Sequence, residues 1–445
     1  MMGEHNQDAS NHDGKSGNTS TGFGRLRHKL SFEHQVEHLS ERLLALGLTG
    51  MRNPLFLCHE GIAKATTRIE GKEYINFSTY DYLDINGHPE VTAAVVRAAE
   101  QYGTSAGASR LVGGERPPHR ELERALADLY EVEDCVTYVS GHATNVSTLG
   151  FLFGPRDLIL HDGLAHNSLV QGARLSGATR ISYPHNDADA LEAILREKRG
   201  EHRRAIIVTE GLFSMDGNIP DLPRLVELKK RYDCMLLVDE AHSLGILGAT
   251  GRGVREHFNI CPTDVDMWMS TLSKSMCGCG GFICGTHELV EYLKNGSPGF
   301  VFSVGMPPVI AAACKTALDI MLRESERVRR VQHISQYFLQ YAKSKGLDTG
   351  AAQGYANVPV MVGDSMLAGI VANLILDRGV YAMPITFPAV KEGMARLRFF
   401  LSAAHTEEHV RQALDIVVAA IPEGQSLIDR YNAQAAQQAP EAPAC

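Results

Sequence analysis

Short, almost unbroken apolar runs recur along the middle of the chain, at residues 135–139, 158–160, 205–209, 235–238 and 267–270. Between most of them apolar residues return at helical spacing, over 145–153, 167–175, 189–198 and 222–232. Strands that are apolar on both faces and alternate with helices predict an α/β fold with a mostly parallel central sheet covered on both sides. Upstream, residues 31–48 have helical spacing behind the cap Ser31, and 66–69 with 74–77 read as a hairpin around Glu70-Gly71-Lys72. Helices open at His88-Pro89 and Pro117-Pro118, with a loop of small residues, 103–110, between them. Downstream, one long helical stretch, 308–345, leaves the sheet. A smaller α/β unit follows, with strands at 358–362, near 381–385 and at 395–400, a helix at 367–378 and a last helix capped by Thr406. The expected division is a polar disordered segment 1–24, an arm with its helix 25–75, a large domain 76–305, a small C-terminal domain 306–432 and a disordered Ala/Gln/Pro tail 433–445.

Composition narrows the class. A chain of 445 residues, 44% hydrophobic and 21% charged, is that of a globular protein. The formal net charge of -9 argues against general nucleic-acid binding. No apolar run approaches the ~20 residues that span a bilayer, and the amino terminus lacks a signal peptide's apolar core, so a cytoplasmic location is expected. Nine scattered cysteines read as reduced thiols, and Cys277 and Cys279 as small buried residues, with no metal site.

In a parallel sheet, ligands sit beyond the carboxyl ends of the strands. Polar groups gather at those ends: Ser140-Gly141-His142, His161-Asp162, 210–214, 239–242 and 271–274. Lys274 follows the apolar run 267–270 and precedes a glycine-rich turn, a setting in which a desolvated amine can form a Schiff base. Asp239, directly after another apolar run, requires a cationic partner. Together Asp239, His242 and Lys274 meet the needs of pyridoxal phosphate: a partner for its pyridine nitrogen, a donor to its phenolic oxygen and an amine for its aldehyde. The glycine-opened helix start at Gly141-His142 can hold a phosphate, and no Walker loop or dinucleotide GxGxxG competes for that task.

Over residues 74–405 the chain resembles the α-oxoamine synthase family of fold-type I pyridoxal-phosphate enzymes, which includes 8-amino-7-oxononanoate synthase, serine palmitoyltransferase and 5-aminolevulinate synthase. The resemblance is carried by the stretches 103–114, 209–217, 238–253, 271–274 and Ala395-Arg396-Leu397-Arg398. It implies that Lys274 carries the cofactor, Asp239 faces the pyridine nitrogen, and His242 and Ser214 reach the phenolic oxygen. It further implies that His166 stacks on the ring and that Gly141, His142 and Thr271 bind phosphate. Arg398 would hold the amino-acid carboxylate, with Arg396 structural, and Ser303 would reach the neighbouring subunit's phosphate in a homodimer. The implied reaction joins serine, glycine or alanine to an acyl thioester with loss of carbon dioxide.

The chain departs from the biotin-pathway members at Thr79-Tyr80-Asp81-Tyr82-Leu83-Asp84, where they have Ser-Asn-Asp-Tyr-Leu-Gly, and at Val304, where a hydroxyl is common. Tyr80 is more similar to serine palmitoyltransferase-like and polyketide-associated members, so a long-chain or polyketide acyl group is expected, with Tyr80 lining the substrate site. The basic clusters Arg25–Lys29, Arg116 with His119-Arg120, and Lys198–Arg204 are either solvated helix surface, the slightly favoured reading, or contacts for CoA or an acyl carrier protein. The alternatives are 8-amino-7-oxononanoate synthase activity, or an aminotransferase or aldol-type lyase using the same lysine.

Overall fold

The computed structural model describes residues 54–438. Its centre is a seven-stranded sheet of order β3-β9-β8-β7-β6-β4-β5. The strands are β3 (Asp134–Tyr138), β4 (Leu158–Asp162), β5 (Thr179–Tyr183), β6 (Ala205–Glu210), β7 (Met235–Asp239), β8 (Met267–Thr271) and β9 (Gly281–Gly285). The pairs β5/β4, β4/β6, β6/β7 and β7/β8 are parallel, whereas β9 runs antiparallel between β8 and β3. Helices Gly141–Leu152, Asn167–Leu175, Ala188–Lys198 and Leu222–Arg231 connect the strands.

The apolar runs became the buried strands because every residue of β3, β4, β6, β8 and β9 is buried. The edge strand β5 escaped the pattern because Thr179, Arg180 and Ser182 face solvent. Trp268, fully buried on β8, stacks on Tyr130 at 5.6 Å and donates its indole N–H to Pro262 O at 3.0 Å. Burying such a side chain contributes on the order of 2–3 kcal/mol only when its N–H is satisfied in this way.

A second sheet, β10 (Asn357–Gly363), β13 (Ala395–Phe400) and β12 (Met383–Ile385), is antiparallel. In a third, the hairpin β1 (Thr66–Ile69) and β2 (Lys72–Asn76) is extended by β11 (Val380–Tyr381), parallel to β2. Ile75 and Phe77 therefore share a core with Val358, Leu397 and Phe399, while Ala311, Leu318 and Met321 pack into the larger core around Leu158 and Val238.

Four expectations are corrected. The stretch 308–345 is two helices, Pro308–Arg323 and Glu326–Ser344. Glu324 leaves the helical region at φ -114°, ψ 59°, and its carboxylate is held by Arg323 and Arg327. The single strand near 381–385 divides between two sheets. Residues 433–438 continue the last helix, Glu407–Gln438, in keeping with the high helix propensity of Ala and Gln. Cys279 is exposed and Cys277 half-buried, though both are free thiols. The expected helix 31–48 and cluster Arg25–Lys29 lie outside the described residues. No helix among the described residues is long and apolar enough to cross a membrane.

Candidate active site

The register of the central sheet sets Glu210 beside Asp239 and Asp239 beside Met269, so β6 and β7 end level and β8 runs two residues further, to Thr271. A cavity of about 160 Å³ opens there, lined among others by Ser140, Gly141, His142, His166, Asp239, His242, Thr271 and Lys274. Glycine is required at the start of helix Gly141–Leu152, because a Cβ on Gly141 would stand 2.7 Å from Thr271 Oγ1. That close approach brings the helix N-terminus, with its free backbone N–H groups, against the hydroxyls of Thr271 and Ser273.

Asp239 is buried and accepts from Ala241 N at 2.9 Å and from Asn145 Nδ2 at 2.8 Å. Asn145 spends its other proton on Ser168 Oγ at 2.9 Å, and that hydroxyl donates to His166 Nδ1 at 2.7 Å. One hydrogen-bonded chain thus joins the aspartate to the histidine, and it leaves the His166 proton on Nε2. Burial and the nearby Lys274 and His142 depress the His166 pKa against the opposing pull of Asp239. Burial drives the His242 imidazole well below its usual 6.5, reinforced by Lys274 and Arg398, so it is neutral at physiological pH. The Lys274 ammonium is depressed to about 8, first by burial, which outweighs the opposing charge of Asp239. A sizeable fraction of neutral, nucleophilic amine follows near pH 8.

The turn 79–86 closes over this lysine. The buried carboxylate of Asp81 accepts from Ile85 N at 2.9 Å, Asn86 N at 3.0 Å and the Cys277 thiol at 3.1 Å, tying the turn to the segment after Lys274. Asp84 takes φ +56°, the left-handed conformation that suits the glycine found there in biotin-pathway members, and is held by Lys64 at 2.5 Å. Lys274 Nζ lies 5.8 Å from the centre of the Tyr80 ring, which meets Phe400 edge-on at 5.0 Å. Phe400 stacks on His242 at 6.0 Å, and the Arg398 guanidinium lies over the Phe400 ring at 4.5 Å. Arg398 Nε is buried without a hydrogen-bond partner among the described residues, a donor left for a ligand. Arg396 differs: it is buried, paired with Asp216 at 2.8 Å and bonded to Met215 O.

Lys274, Asp239, His166, His242, Gly141, His142 and Thr271 therefore converge on one cavity, while Arg398 and Tyr80 stand beside it without lining it, Tyr80 against Lys274 and Arg398 over Phe400. Ser214 sits half-buried in the turn after β6, and Ser303 lies between exposed Phe302 and Val304. Neither lines the cavity. Sequence reasoning missed Asn145, Ser168 and Phe400, and gave no role to Glu210. The buried face of helix Gly141–Leu152 also carries Thr144, Ser147 and Thr148, so Asn145 does not stand out on it. The basic clusters are mostly internal pairs. His119 is buried against Met306 O, Arg120 joins Glu123, and Arg203 and Arg204 hold Asp157.

The chain matches the class I and II aminotransferase family over residues 72–417. It is 38% identical over 379 residues, 85% of this chain and 96% of the relative, to 8-amino-7-oxononanoate synthase of Symbiobacterium thermophilum. It is 36% identical to the 4-hydroxy-2,2'-bipyrrole-5-methanol synthase of a Serratia strain over 371 residues, 82% of this chain and 56% of that protein. Serine palmitoyltransferase of Sphingomonas wittichii superposes with a TM-score of 0.83 at 29% identity, covering 88% of this chain and 98% of that one. The chain belongs to the class I and II aminotransferase family and, within it, to the α-oxoamine synthases. It is a pyridoxal-phosphate-dependent acyltransferase of fold type I.

Proposed function

We propose that the enzyme condenses a small amino acid, serine, glycine or alanine, with a long-chain or polyketide acyl thioester carried by CoA or an acyl carrier protein. The products are an α-aminoketone and carbon dioxide. The observation that carries the acyl preference is the exposed Tyr80 ring facing Lys274 and backed by buried Phe400, which suits an apolar chain better than an amide side chain would.

The residues present fit the cofactor: a carboxylate for a pyridinium, a partly neutral lysine, a helix N-terminus for a phosphate and a histidine with its ring open to the cavity. When bound, pyridoxal phosphate supplies an electron sink for negative charge developing at the amino acid's α-carbon. Asp239, fixed by Asn145, holds the ring nitrogen's proton, and His166 keeps the ring plane. Gly141, His142 and Thr271 take the phosphate in one subunit, and Ser303 approaches that of the partner in a homodimer. Neutral His242 donates to the phenolic oxygen. Arg398 orients the amino-acid carboxylate, and Lys274 removes the α-proton and later returns one. A cytoplasmic homodimer is part of this reading.

The identity to 8-amino-7-oxononanoate synthases favours a second reading, in which the acyl group is pimeloyl. Purified holoenzyme assayed for carbon dioxide release with each amino acid and with pimeloyl, long-chain and polyketide thioesters separates the two. Turnover with pimeloyl thioester alone sinks the first.

A further inference from the structure

Glu210 ends β6 directly beside Asp239 on β7, and both carboxyls reach the cavity. Their surroundings are unequal. Asp239 receives two N–H donors, from Asn145 and Ala241. Glu210 receives one, the backbone N–H of His166, at 2.6 Å, and forms no ion pair among the described residues. Asp162, at the end of β4, is a third nearby carboxylate, and it is already occupied by His185 Nδ1, Leu164 N and Asn186 N. The positive group facing Glu210 is Lys274, whose charge Asp239 also draws on. Two adjacent buried carboxyls cannot both ionise without a cation for each, and the proton stays where donors are fewest.

We propose that Glu210 is a neutral carboxylic acid that positions His166, while the negative charge of the pair rests on Asp239. The acid's carbonyl oxygen accepts from His166 N and so fixes the turn 163–168 at the point where the histidine ring meets the cavity. Burial, then the charge of Asp239, pushes the Glu210 carboxyl well above its usual 4.5. The function is specific: a second anion here would compete with Asp239 for the cofactor's ring proton and would hold the Lys274 amine protonated. This assignment rests on Lys274 and Asp239 holding pyridoxal phosphate with His166 against its ring.

The test compares wild type, Glu210→Gln and Glu210→Leu. In the infrared difference spectrum between wild type and Glu210→Gln at pH 7, taken with and without cofactor, a carboxylic-acid C=O band is lost. In the holoenzyme the pH midpoint of the visible absorbance moves by less than about 0.3 unit in Glu210→Gln, because no charge is removed. Glutamine keeps the acceptor for His166 N, whereas leucine leaves that N–H unpaired and weakens cofactor binding about ten-fold. Loss of a carboxylate band instead, or a midpoint lowered by about one unit or more, overturns the neutral acid. Cofactor binding by Glu210→Leu equal to wild type overturns the positioning role. Lys274→Ala protein that keeps the visible band refutes the underlying cofactor reading, and the cofactor-free infrared band then still decides the proton on Glu210.

Discussion

Tyr82 Oη lies 2.7 Å from His242 Nδ1, and both side chains are buried. Burial raises the phenol well above its usual pKa of 10.0, so the tyrosine donates, and the histidine keeps its own proton on Nε2. Nε2 is thereby made a donor, as a contact to a phenolate requires. Tyr82→Phe removes the donor and frees the tautomer. Stability should fall by about 1 kcal/mol and kcat by about ten-fold, read by thermal unfolding and carbon dioxide release. Because the folded His242 pKa lies well below 6.5, the native state binds fewer protons than the unfolded one under pH 6.5, and stability falls as pH drops through that range. His242→Asn should lessen that decline, the remainder coming from other buried imidazoles such as His405.

Lys274 titrates near 8 in the cofactor-free protein. The rate constant for rebinding pyridoxal phosphate should therefore rise from pH 7 and level off above about 8, instead of climbing toward 10.5 as for a free lysine. Stopped-flow absorbance measures it, and a midpoint near 10 would contradict the desolvated amine.

Arg398 and Arg396 separate by kinetics and stability. Arg398→Ala should raise the amino-acid KM about 100-fold, with a smaller loss of stability from its contacts with Phe400 and Met215 Sδ than Arg396→Ala causes. Arg396→Ala leaves Asp216 without its buried partner and should cost about 3–5 kcal/mol of stability, with the KM of the folded fraction kept.

Acid sensitivity should centre on Glu123. Burial alone would raise its pKa, but hydrogen bonds and charge from Arg110, with Lys294 and the Thr137 N–H, bring it to about 2. Stability of about 3 kcal/mol is present above pH 4.5 and lost as pH falls toward 2. In Glu123→Gln the unfolding midpoint should vary less over that window.

The central sheet was legible because parallel strands buried on both faces must be apolar throughout, and the cavity because polar residues at their ends have few other reasons to be there. Lys274, Asp239 and His242 stood out on those grounds, and His166 only through the family resemblance. The strand β5 was hidden by its exposed Thr179, Arg180 and Ser182, and the break at Glu324 by ion pairs that look like ordinary helix surface. Asn145, Ser168, Glu210 and Phe400 act through contacts between residues far apart in sequence, which no local pattern records. The clusters around Arg120 and Arg204 were hidden in the opposite way: adjacent cations look free until their carboxylates are seen.

The antiparallel strand β9 bears on how the enzyme matures. It is the last strand of its sheet to be synthesised, yet it sits between β3, the first, and β8. Until it threads into place, nothing brings Gly141 against Thr271, and the phosphate cradle does not exist. Closing so long a loop is a slow step in folding, and the cofactor has nothing to grip before it. Pyridoxal phosphate should accordingly slow unfolding of the finished enzyme without accelerating its refolding.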